Sequence, residues 1–150
     1  MTDVVLTARL DPAWNRAGVD LASASETDLR YRSLLGDVEF RIGDSDFSTQ
    51  WGWIPLLDFA LGLTDVLMRL PDSRLESFEF TESGAELRFE LRGGEVEVRS
   101  NFAAAIGHAP LEVLRRAAQG LAEQVLSAAR MEAPGVDANP DFERLVRGLR

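Results

Sequence analysis

The chain has one histidine, no cysteine and no lysine, so carboxylates and arginines are the main groups with which it could run a reaction. His108, between Gly107 and Ala109 and just before Pro110, reads as the lead-in to a helix, and no H-E-x-x-H spacing surrounds it. Asp58 and Asp65 share one helical stripe with Gly62 and Arg69. Two turns separate the two acids by about 10.5 Å of helix rise, whereas a hydrolytic carboxylate pair works at about 5–5.5 or 6.5–9.5 Å. Arg69, one turn beyond Asp65, makes a surface ion pair the simpler reading, and the stripe is expected where this helix meets water or a partner. Asp44 and Asp46, near Asp37 and Glu39, suggest a cation loop. Counted from Asp44, however, the sixth residue is Thr49 and the twelfth Pro55, which breaks the Gly and Glu pattern of an EF-hand. A solvated turn is expected there instead. No phosphate-cradling glycine motif or G-x-S-x-G nucleophile elbow occurs. The expectation is a protein with no catalytic residue, cofactor or metal, not an enzyme.

What remains is surface chemistry. Trp51 and Trp53 flank Gly52, and aromatic anchors of this kind recur at binding hot spots. The 25 Asp and Glu against 16 Arg give a formal net charge of -9. Residues 37–74 hold seven acids and three arginines, residues 75–100 the same, and residues 101–150 balance six against six. The negative charge therefore concentrates in the middle of the chain. Such a field steers a basic partner and raises association rates more than bare affinity. The candidate binding residues are Asp44, Asp46, Trp51, Trp53, Asp58, Asp65, Glu79, Glu86, Glu90 and Glu97. Solubility alone also accounts for an acidic composition, and core membership for a tryptophan.

These groups must be positioned by an α+β fold. Val4 to Leu10 alternates as an opening strand. A hairpin is expected over 29–42, Leu29–Leu35 turning through Gly36-Asp37 into Val38–Ile42. A helix over 54–70 follows, with Pro55 in its first turn and Pro71 ending it. A meander over 76–102 turns at Ser83-Gly84 and Gly93-Gly94 and alternates strictly. Phe78, Phe80, Leu87, Phe89, Leu91, Val96 and Val98 take one face and the charges the other. Helices over 110–131 and 140–149 complete a single α+β domain of residues 1–150, with five or six mostly antiparallel strands in one sheet around the buried 54–70 helix.

At 150 residues and 45% hydrophobic content the chain buries a full core without disulfide or metal. The apolar run Trp51–Leu70 contains Asp58, Asp65 and Arg69, each costing about 2.5–3.5 kcal/mol at a bilayer centre, so no membrane contact is expected. An acidic chain is likewise a poor nucleic-acid ligand. The N-terminus has no basic segment leading into an apolar run, and with no cysteine the chain suits the cytoplasm. Length, acidity, strand hairpins around Trp51-Gly52-Trp53-Ile54-Pro55 through Leu63, and the missing catalytic set resemble the small acidic immunity proteins of bacterial polymorphic-toxin systems. The resemblance implies a basic protein partner, a toxin neutralised by a covering contact. A small-molecule-binding or assembly subunit, as a homodimer, is the alternative.

Overall fold

The computed structural model describes residues 3–81 and 83–149. Strand β1 (Val4–Leu10) pairs antiparallel along its whole length with β2 (Leu35–Ile42), Val4 opposite Ile42 and Leu10 opposite Gly36. β2 carries β3 (Ser45–Asp46) and β4 (Thr49–Pro55) on its other side. A second antiparallel sheet runs β5 (Leu75–Glu79), β6 (Glu86–Arg92), β7 (Glu95–Ser100) and β8 (Ile106–Pro110). The strands thus form two four-stranded sheets in place of the single sheet expected. The sheets abut where Ser45 Oγ donates to the Ile106 carbonyl at 2.6 Å.

The expected hairpin over 29–42 is absent. Residues Glu26–Tyr31 form a short helix, α1, whose N-cap Ser25 accepts from the Asp28 N–H. Leu34 then turns the chain at φ 51°, and Gly36-Asp37 lies inside β2. The alternation of Val38, Phe40 and Ile42 suits either partner, and in the fold it is β1 that pairs there and brings Leu6 onto the same core. Gly36 is required at this crossing, because a Cβ there would sit 2.0 Å from the Arg9 carbonyl oxygen.

Helix α2 runs Leu56–Ser73, later at both ends than expected. Ile54 and Pro55 belong to β4, and Pro71 does not stop the helix. Proline withholds an N–H from the carbonyl four residues back. That carbonyl, on Leu67, accepts instead from Arg115 Nη2 at 3.3 Å, and the helix closes at Arg74 with φ 65°. The stripe expected to face water is divided. Asp65 is exposed, Gly62 lies against the Phe78 ring and Asp58 is buried.

The meander holds as read: Phe78, Leu87, Phe89, Leu91, Val96 and Val98 are all buried. It gains β8, which takes His108 out of any helix lead-in and sets it opposite Glu97. Helix α3 (Leu111–Glu132) packs on α2 and β1. Its Gln124 amide donates to the Ala8 carbonyl at 2.8 Å and accepts from the Ala8 N–H at 2.9 Å, closing the open edge of β1 as a strand would. Helix α4 (Pro140–Arg147) starts at an Asn139 cap and buries Phe142, Leu145 and Val146. Among the described residues no helix is long and apolar enough to cross a membrane.

Candidate functional site

Opposite Asp37 of β2, strand β4 bulges. Gly36 pairs with Ile54 and Val38 with Thr49, so Gln50 to Trp53 face one residue. Bulges of this kind re-aim side chains. Asp37 Oδ1 accepts the Gly52 N–H at 2.6 Å and so fastens the bulge, while Gly52 adopts φ 77°, a conformation that glycine takes without strain. The two flanking indoles stack at 5.2 Å and 19°. Trp51 meets Phe80 and Phe102 edge-on, and Phe80 stacks on the fully buried Phe59 at 5.7 Å. An aromatic column therefore runs from the core to the surface and ends at Trp53, which stays 40% exposed.

Beyond Trp53 opens a groove of about 740 Å³, lined by Thr27, Tyr31, Leu35, Pro55 and Thr81, with Arg32 at its side. Tyr31 is as exposed as Trp53. Below the groove Arg30 Nε donates to Asp58 Oδ1 at 2.7 Å, and the Thr81 hydroxyl donates to Asp58 Oδ2 at 3.4 Å. The Arg30 guanidinium also stands 5.6 Å from the Tyr31 ring centroid. Burial acts to lower the Arg30 pKa, but the Asp58 hydrogen bond and charge outweigh it and hold the group above its ordinary value. The Arg32 guanidinium is drawn to Asp28 at 3.2 Å. The groove walls themselves carry no carboxylate.

The outer face of the second sheet is a contrasting surface. Its register sets Leu75, Glu90, Glu97 and His108 in one row and Ser77, Arg88, Arg99 and Ile106 in the next. Acids are answered within their own strands: Arg92 to Glu90 at 2.8 Å, Arg99 to Glu97 at 3.0 Å, Arg88 to Glu86 at 3.7 Å. Glu97, only 10% exposed at its side chain, also lies 3.3 Å from His108 Nε2. The Arg99 hydrogen bond, with lesser help from Arg92 and His108, holds the Glu97 carboxyl below its ordinary pKa against some desolvation.

The ten sequence candidates therefore fall in separate places. Trp53 lines the groove, Trp51 stacks on it, and the buried Asp58 touches the lining only through the Thr81 hydroxyl. Glu79, Glu86, Glu90 and Glu97 share the outer sheet face. Asp44 and Asp46 sit at the β2–β3 turn, where hydrogen bonds from Ser48 lower the Asp46 pKa. Asp65 pairs with Arg69, which also pairs with Glu76. Sequence reasoning missed Tyr31, Arg30 and Thr81. Ser25 followed three residues later by Asp28 was the available signal, since an N-cap there places Arg30 and Tyr31 on a helix rather than a strand. Among the described residues no group of three or more His, Asp or Glu side chains is placed to hold a metal ion. No protein-family model matches the chain, and neither a curated protein nor a solved structure matches it.

Proposed function

We propose that this chain is a non-catalytic binding protein for a basic protein partner, with the Trp53–Tyr31 groove as the anchor of the contact. One observation carries this reading: a tryptophan is held at the surface by a bulge, a hydrogen bond to Gly52 and a stack on Trp51. A solvent-facing indole already fixed in place loses little side-chain entropy on binding, and tryptophan, tyrosine and arginine are the residue types enriched at interface hot spots. The net charge of -9 supplies the long-range part, steering a basic protein toward the molecule before the short-range contact forms. The resemblance to immunity proteins supports neutralisation of a toxin in the cytoplasm as the biological role.

The test is titration with the purified basic product of the reading frame beside this gene, followed by tryptophan emission. Binding is expected to weaken at least tenfold between about 50 and 300 mM salt, mainly through the association rate. Trp53→Ala is expected to weaken it about 30-fold, the scale of a hot-spot residue. Salt-indifferent binding, or full affinity in Trp53→Ala, removes the reading.

A further inference from the structure

We propose that the partner adds a strand to the open edge of β5, an extended segment that sets a basic side chain opposite Glu79. This rests on the binding reading above and specifies its geometry. The other sheet edges are guarded. Gln124 closes β1, the bulge interrupts β4, and β8 gives its Ile106 carbonyl to Ser45. On β5 the Arg74 carbonyl accepts from the Leu91 N–H at 2.8 Å, and the Phe80 N–H donates to the Ala85 carbonyl at 2.9 Å. With the observed register, Arg74, Glu76, Phe78 and Phe80 therefore turn their backbone groups to β6. Antiparallel bonding alternates, so the N–H and C=O groups of Leu75, Ser77 and Glu79 point outward. Glu86, opposite Glu79, fits this pattern, because Asn101 takes both of its backbone groups on the far side. Among the described residues nothing bonds the outward groups of β5, and Leu75, Ser77 and Glu79 are all exposed. A row of this kind is a template for another strand.

Charge selects the occupant. Glu79 stands across from Glu86, a like-charge pair that opposes folding. Arg88 reaches Glu86 at 3.7 Å, and no arginine among the described residues pairs with Glu79. A basic residue directly opposite Glu79 on an added strand lies about 4.5–5.5 Å away and answers it. Behind the edge α2 presents Asp65, while Arg69 is already bound by both Asp65 and Glu76. Arg74 lies at the far end of the edge, beside the exposed Leu75, which suits an apolar neighbour. A second copy of this chain would bring the same acids and another -9 of net charge to the edge. The edge also leads to the groove: Thr81, in the groove lining, is two residues beyond Glu79, about 7 Å at the rise of a strand. One extended segment therefore spans the edge and the Trp53 anchor.

The probe is the purified basic product of the neighbouring reading frame, and the first readout is amide hydrogen exchange in the native chain. On binding, exchange at Leu75, Ser77 and Glu79 is expected to slow about tenfold or more, as for amides newly bonded in a ladder. Ser77→Pro removes the central outward N–H, a change that an edge strand tolerates, and should weaken binding about 10- to 100-fold. Ser77→Ala loses only the hydroxyl bonded to Glu86 and should bind as the native chain does. Glu79→Arg should weaken binding several-fold. Should Ser77→Pro fail to fold, the native exchange pattern and Glu79→Arg decide the matter. Binding that depends on Trp53 but leaves these amides exchanging freely overturns the added strand and keeps the basic partner. Protection of the same amides in the chain alone, rising with its concentration, overturns the partner as occupant in favour of a second copy. A product that does not bind at all removes the binding reading and the added strand with it.

Discussion

The β4 bulge and the outer face of the second sheet are both polar, solvent-facing and built on antiparallel strands, yet they use their side chains in opposite ways. On the sheet face each of Glu86, Glu90 and Glu97 has an arginine two residues along its own strand, and these three acids are answered locally. At the bulge an aspartate is spent on a backbone N–H, and what emerges is an exposed aromatic pair, Trp53 and Tyr31. A dense charge pattern in sequence is therefore a poor guide to a recognition surface. Internal pairing satisfies charges locally, whereas an exposed indole fixed by backbone geometry is left with an open face.

The contrast predicts unequal sensitivity to mutation. Gly36→Ala has the largest effect expected. The added Cβ meets the Arg9 backbone, which cannot move aside without opening the β1–β2 pair, and chemical denaturation should show a loss of about 3 kcal/mol. Asp58→Ala comes next. It strands Arg30, but a third of that side chain is in water. The loss should be about 2 kcal/mol, less than the 3–5 of a fully desolvated pair. Asp37→Ala releases Gly52 and should cost about 1 kcal/mol, the worth of one hydrogen bond. Its diagnostic sign is lower fluorescence anisotropy, because Trp53 is no longer held.

On the sheet face, Glu90→Gln should change stability by no more than about 0.5 kcal/mol, as for an exposed ion pair. A larger loss there would erase the distinction between the two regions. Glu97→Gln should lower stability at neutral pH and flatten its dependence on acid pH. Its carboxyl is held below the ordinary value of 4.5, so its contribution is complete above that value and disappears as pH falls through the lower folded one. The melting temperature of the mutant should therefore drop less than that of the native chain as pH is lowered below about 4.5.

The same contrast separates what was legible in the chain from what was not. The meander read correctly because its strands are consecutive, its turns are glycine pairs, and one face is packed while the other is wet. Register then follows from local sequence. The expected 29–42 hairpin failed because Val38, Phe40 and Ile42 present the same alternation to any antiparallel partner, and β1 lies more than twenty-five residues away. Pro71 misled because the substitute donor to Leu67, Arg115, comes from another helix.

By itself the sequence determined composition-level properties and local periodicity: the α+β class, the meander, the amphipathic C-terminal helices and the concentration of acid in the middle of the chain. Those depend on spacing along the backbone, which the order of residues fixes. Tertiary structure alone decided that the strands divide into two sheets, that Asp58 turns inward to Arg30, and that Trp53 stays outside at the end of an aromatic column. These depend on which distant surfaces exclude water together, and many pairings satisfy the same local pattern until the whole core is assembled.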